Sequence, residues 1–219
     1  MAKKTTTACA GPKAKKAAFT PSSGFGKNNA GARKEKGDQP LFFFMPNEPH
    51  GEFCQWFPAT FTVGKDEISA LMGHPIDLTD PEGWSPIYFH CSEQFMMYCK
   101  AGCFNDAETQ RKIMATDDAK EQKRLGQKTR GFSASVWDKI KSDVVVLGNV
   151  AKFGQNRTLR MQLLSTGDRV LAEAAKEDRV WGIGFTAQEA SLHKDQSRWG
   201  ENRLGKALME VRSRLQKKE

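Results

Sequence analysis

Cys91-Ser92-Glu93-Gln94-Phe95-Met96-Met97-Tyr98-Cys99-Lys100-Ala101 is the stretch on which the reading of this chain turns. It sets an acid and an amine seven residues apart among Phe, Met, Tyr and Cys, a composition that suits a helix lying mostly in a core. Two helical turns separate Glu93 from Lys100, so a helix presents both on one face. A carboxylate and an ammonium in apolar company are costly to desolvate unless they are paired or used. Ser92 is placed to cap this helix, which puts Glu93 in the first turn, where the helix dipole favours its charge. By itself the segment fits a structural ion pair at the edge of a core slightly better than a catalytic pair.

Downstream the pattern stays helical. The spacing predicts helices over 92–103, 107–114, 117–128, 133–153, 156–165 and 199–217, with Asp117 and Ser133 as caps. Leu204, Ala207, Leu208, Val211 and Leu215 form a stripe at helical spacing that belongs to a core. Upstream, Leu41-Phe42-Phe43-Phe44-Met45 reads as a strand and Pro46 to Gly51 as a turn. Phe53, Trp56 and Phe57, then Phe61 to Gly64, suggest further short strands. Residues 65–87, with Gly73, Pro75, Pro81, Gly83 and Pro86, read as a long irregular excursion holding one short helix. Val170 to Ala174 and Arg179 to Gly184 are expected to form a second small strand pair. The fold class is therefore α+β, mainly helical, with a minor antiparallel sheet in one domain over 41–219.

Formal charge is +8 over 219 residues, and its location matters more than its size. Residues 1–40 hold nine Lys or Arg against two acids, so the rest of the chain carries a net of only +1. A broad nucleic-acid-binding face on the folded part is unsupported by this balance. The basic segment 1–40 has few large apolar groups and is expected to be disordered, as a tether or a solubilising tail. The chain opens without a signal-peptide apolar region, and its five cysteines are expected to be reduced thiols of an intracellular protein, cytoplasmic or nuclear. Cys99 and Cys103, one turn apart below His90 and Cys91, lack the paired spacing of a metal site. No run approaches transmembrane length, and no membrane partner is expected.

Three further clusters carry chemistry. Lys152-Phe153-Gly154-Gln155-Asn156-Arg157 sits at a helix-to-helix turn, where free amides bind phosphate, or where a Gly and an Asn merely cap two helices. Glu177-Asp178-Arg179-Val180-Trp181-Gly182-Ile183-Gly184 sets a carboxylate three residues from a Trp. Arg198 to Lys206 opens a helix with Asn202 and Arg203, either as capping or as reach toward phosphate or ribose oxygens. No dinucleotide fingerprint, P-loop, HExxH or nucleophile elbow is present.

Taken in order, these blocks resemble the NADAR, or YbiA-like, family. The resemblance is carried by the Cys91–Ala101 segment and by Gly131-Phe132 through Val136-Trp137. It continues with Gly148-Asn149-Val150-Ala151-Lys152-Phe153, with Gln155-Asn156 and Leu159-Arg160, and with Leu164-Ser165-Thr166-Gly167-Asp168. Asp178 with Trp181 to Phe185, and Trp199-Gly200-Glu201-Asn202 with Leu204 to Met209, complete it. Arg203 stands where an apolar residue is usual, and the excursion at 65–87 is longer than in short bacterial members.

The resemblance implies a single YbiA-like domain and an N-glycosidase, a hydrolase that cleaves between a ribose anomeric carbon and a nitrogen. Two substrate classes are implied: ADP-ribose on a guanine base of nucleic acid, and phosphoribosylamino-pyrimidine intermediates of riboflavin synthesis. The Met-Met-Tyr helix and the basic tail look like eukaryotic members, which favour ADP-ribosyl-guanosine. A non-catalytic ADP-ribose-binding module is the alternative of another class. Glu93 is expected as acid/base. Lys100 acts either as a nucleophile forming a Schiff base, which needs a neutral amine, or as a charged group that orients Glu93 and the ribose. Asp178 is the second carboxylate. Trp137 and Trp181 are candidates for stacking or lining the ribose pocket, with Gln55 and Gly182 beside them. Gly154, Asn156 and Asn202 are candidates for diphosphate contacts. No metal or cofactor is called for, ADP-ribose is the expected product, and a monomer is expected.

Overall fold

The computed structural model describes residues 39–76, 85–192 and 195–217. The tail expected over 1–40 falls outside them except for its last two residues, as does the middle of the 65–87 excursion. The central element is helix α2 (Ser92–Cys103), ten of whose twelve residues are buried, so it is an interior helix with no solvent face. Around it pack α3 (Ala107–Met114), α4 (Ala119–Gln127) and the long α5 (Ala134–Gln155). Helices α2 and α5 approach closely at Gly148, where a Cβ would collide with the Phe95 ring, so a larger residue there would force the two axes apart. Helix α6 (Arg157–Leu164) turns back from α5. Helix α8 (Arg203–Gln216) lays Leu204, Ala207, Leu208, Val211 and Leu215 against α5, and all five are buried, as their spacing predicts. Burial of each Leu or Val among them contributes about 2 kcal/mol. Helix α1 (Lys65–Met72) is the short helix expected in the excursion, and α7 (Ala187–Leu192) is a helix the sequence pattern did not suggest.

Two small sheets complete the fold. Strand β2 (Phe61–Val63) pairs antiparallel with β3 (Ile87–Phe89), and Phe61, Phe89, Phe95 and Tyr98 meet edge-on or tilted where this sheet covers α2. Strand β1 (Leu41–Phe43) pairs with β4 (Leu171–Glu173), in parallel, with Leu41 opposite Leu171 and Phe43 opposite Glu173. This corrects the expected pairing of 170–174 with 179–184. Residues 179–184 form no strand: the amides at their start turn to a local carboxylate, and only those at their end reach back to the close of β4. Asp178 Oδ1 accepts from the amides of Val180 and Trp181, both at 2.8 Å, while Ile183 N–H donates to Glu173 O and Gly184 N–H to Ala175 O. Phe53, Trp56 and Phe57, also expected in a strand, instead lie at the end of a 3₁₀ turn (Gly51–Phe53) and in the turns and bends after it.

Two caps fall one residue from their expected places. Cys91 is the N-cap of α2, and Ser92, inside the helix, donates to Asn149 Oδ1 at 3.3 Å. Asp118, not Asp117, caps α4 by accepting from Lys120 N–H. Among the described residues no helix is long and apolar enough to cross a membrane, and no group of three His, Cys, Asp or Glu is arranged to hold a metal ion.

Candidate active site

A cavity of about 1000 Å³ opens beside α2. Its walls are the outgoing end of β1 (Phe42 to Met45), the turn at Cys54 to Trp56, one face each of α2 and α4, and the stretch leaving β4 from Glu173 to Asp178. The volume is at the upper end for ligand sites, roomy enough for a dinucleotide-sized ligand. Glu93, Met96, Met97 and Lys100 all line it, which is the single α2 face that the seven-residue spacing demands.

Glu93 is only 6% exposed. Burial pushes its carboxyl up to about 7, against the pull of the Lys123 ammonium, a hydrogen bond from the Trp56 side chain, and Lys100. Its backbone N–H donates to Gln55 O at 3.0 Å, so the first turn of α2 is tied to the 54–56 turn. Lys100 is half-buried, and its Nζ lies 4.2 Å from the centre of the Phe132 ring. Burial lowers its pKa, and Glu93 opposes that shift. A carboxyl that exchanges its proton around neutrality and an amine eased toward its neutral form therefore face one space, the pairing that proton transfer or amine attack requires.

The sequence-stated residues Gln55, Trp137, Asp178 and Trp181 also line this cavity. Trp137 serves as a wall and as a core anchor together, at 5% exposure. Gln55 is fixed by Asn149, whose Nδ2 donates to its Oε1 at 3.0 Å. The other four candidates do not reach the cavity wall. Gly154 lies in the last turn of α5 and borders a separate hollow of about 290 Å³. Asn156 spends its Nδ2 on Thr60 O at 3.0 Å and Lys152 O at 2.7 Å, so the expected phosphate turn is a helix junction stitched shut. Gly182 is where the loop backbone packs on itself, since a Cβ there would stand 2.9 Å from Ala175 Cβ and from Glu173 O. Asn202 takes a left-handed backbone (φ 52°) ahead of α8, donates to Leu171 O and accepts from Glu173 N–H. Each of these residues has a structural task in place of the diphosphate or ribose contact expected of it.

Three lining residues escaped the sequence reading. In sequence Trp56 reads as a strand aromatic. Lys123 sits on a polar helix with no sign of which lysine faces inward. Glu173 ends an apolar run that reads as an ordinary strand, and the lone acid at its close was the available signal. Its Oε2 is screened from solvent and has no hydrogen-bond partner among the described residues. Burial raises its pKa to about 8, with Asp178 and Glu93 adding to the shift and Lys123 opposing it. Behind the site, Lys152 is fully buried and donates to Glu52 O at 2.9 Å and Cys54 O at 3.1 Å, which fixes the turn that carries Gln55 and Trp56.

Known proteins resemble this chain in sequence and in fold. The sequence matches the NADAR domain over residues 42–216. It is 36% identical over 185 residues to N-glycosidase R617 of Acanthamoeba polyphaga mimivirus, covering 82% of this chain and 98% of that protein. It is 30% identical over 118 residues to N-glycosidase YbiA of Shigella flexneri, covering 54% and 67%. Riboflavin biosynthesis protein VVA0006 of Vibrio vulnificus is 28% identical over 179 residues, which cover 82% of this chain but 39% of that protein. The NMR structure of the E. coli protein YbiA superposes with a TM-score of 0.58 at 23% identity, over 83% of this chain and 87% of that one, and so shares the fold. The class is that of hydrolases acting on N-glycosyl bonds. The chain belongs to the NADAR family.

Proposed function

We propose that this protein hydrolyses the bond between ADP-ribose and a guanine base, in DNA, RNA or a nucleoside, releasing ADP-ribose. The observation that carries the reading is that Glu93 and Lys100 line one cavity of about 1000 Å³. That space exceeds what a phosphoribosylamino-pyrimidine needs. It also brings Lys100, Lys123 and Lys176 within reach of phosphate charge, and Phe42, Trp56 and Trp181 within reach of a base.

In the reaction the C1–N bond breaks toward the nitrogen, and positive charge builds on the sugar. Glu93 stabilises that charge and takes the proton released at C1, from water or from the Lys100 amine. The Trp56 hydrogen bond orients the Glu93 carboxylate. Lys100, with its lowered pKa, is placed to meet C1 as an amine. Asp178, held by two backbone amides, meets a ribose hydroxyl. The test is chromatographic. Incubation with ADP-ribosylated guanosine should release guanosine, and a phosphoribosylamino-pyrimidine should turn over at least tenfold more slowly. The reverse order would move the protein to the riboflavin-pathway substrate class, and no turnover of either would leave a binding module.

A further inference from the structure

We propose that Glu173 is the proton donor to the leaving nitrogen, a neutral carboxylic acid in the resting protein rather than a second anion. The proposal rests on the N-glycosidase reading above and goes beyond its Glu93–Lys100 pair. Cleavage of an N-glycoside asks for two opposite proton movements, one away from the attacking group and one onto the departing nitrogen. When both movements fall in one step, a single carboxyl cannot perform both, and Glu93 is assigned the first.

The structure provides a second acid for the other. Glu173 is the last residue of β4, and its backbone is held from both sides. Its N–H donates to Asn202 Oδ1 at 3.2 Å, its carbonyl accepts from Ile183 N–H at 2.9 Å, and β1 pairs beside it. Its side chain lines the cavity, yet Oε2 is shut off from solvent and has no hydrogen-bond partner among the described residues. A buried carboxylate left in that state is heavily penalised, whereas a carboxylic acid waiting for a ligand acceptor is not. The charges that face it agree. Asp178 from the loop after β4 and Glu93 from α2 repel a negative charge there, and Lys123 from α4 pulls the other way.

The step balances. The C1–N electron pair goes to the nitrogen, which takes the Glu173 proton. Water, or Lys100 first and water afterwards, forms the new bond to C1, and Glu93 receives the proton it releases. Exchange with solvent then restores Glu93 as carboxylate and Glu173 as acid.

The test compares two leaving groups on Glu173→Gln. For ADP-ribosylguanosine the nitrogen needs a proton, and kcat should fall at least 100-fold. For an ADP-ribosyl pyridinium the base departs neutral without one, and kcat should stay within about threefold of the starting protein. Wild-type protein supplies a check free of the substitution. Its kcat on the guanine substrate should decline as pH rises through about 8, and this limb should be missing with the pyridinium. Equal losses on both substrates, or the same alkaline limb on both, would overturn the proposal and leave Glu173 a structural or electrostatic residue. If neither substrate turns over, the N-glycosidase reading fails separately. Carboxyl-carbon NMR of the glutamate-labelled protein then decides the remaining point. A glutamate resonance titrating near pH 8 and missing from Glu173→Gln supports the neutral acid, and a resonance titrating in the ordinary carboxylate range refutes it.

Discussion

Lys152 and Glu173 are both ionisable groups brought into the interior, and the fold treats them in opposite ways. Lys152 is enclosed by α5 and the 51–54 turn, and two carbonyls meet its ammonium. Glu173 stands at the cavity wall with one oxygen that no hydrogen-bonding group among the described residues meets. Burial disfavours the charged form of each, lowering the lysine to about 8 and raising the glutamate to about 8. The lysine's hydrogen bonds are completed from within, so its contribution is to architecture. The glutamate's are left for a guest. An unfinished buried polar group beside a hollow is thus a sharper pointer to function than a perturbed pKa alone.

The contrast can be broken experimentally, beginning with the helix that both groups serve. Glu93→Gln should lower kcat about 1000-fold, roughly 4 kcal/mol of barrier, while the melting temperature holds or rises because a desolvated carboxyl has been removed. Guanosine release, measured alongside calorimetry, reads both. If Lys100 forms a Schiff base, borohydride added during turnover should leave a sugar adduct on Lys100 by mass spectrometry, and Lys100→Ala should show none. An adduct-free wild type assigns Lys100 to orientation.

Lys152→Met should lower stability by about 3 kcal/mol, because the Glu52 and Cys54 carbonyls lose their donor. Denaturant melts would show this. A stability change below about 1 kcal/mol would mean that the turn is held by other means.

Glu173→Gln should behave in the opposite sense, and pH reveals it. The folded protein holds the Glu173 proton up to about pH 8, whereas the unfolded chain releases it near 4.5. The wild type therefore loses stability as pH rises between those values, and its deficit relative to the variant is complete above 8. At pH 9 the variant should be the more stable by up to about 5 kcal/mol, with little difference at pH 4. Melting curves at the two pH values check the sign. The smallest change belongs to Gly154→Ala. It should leave KM within twofold and add at most about 1 kcal/mol of stability, since a Cβ there meets only Leu215 at 3.6 Å in ordinary contact. A large rise in KM would return that turn to the binding site.

How much of this was legible depended on the reach of each signal. The α2 face was readable because acid, amine and apolar residues all repeat on one local period. The α8 stripe was readable for the same reason. Glu173 was not, because its strand is three residues long and its partner, β1, lies some 130 residues upstream. Nothing in Val170 to Ala174 says which neighbour it will choose. Asn156 and Asn202 misled because an Asn beside Gly serves a phosphate, a cap or a cross-link equally well. Only the positions of Thr60 and Leu171 decide in favour of the cross-link. Trp56 needed the 3₁₀ turn to swing its indole toward Glu93, and aromatic spacing alone suggested a strand.

The parallel pairing of β1 with β4 has a consequence for biogenesis. A growing polypeptide can wind α2 as soon as that segment leaves the ribosome, but the opposite wall of the hollow must wait until the residues after Leu171 have emerged and closed back on Leu41. Nascent chains stalled before that point would carry the α2 face with no chamber around it, so the cavity exists only after long-range closure is complete.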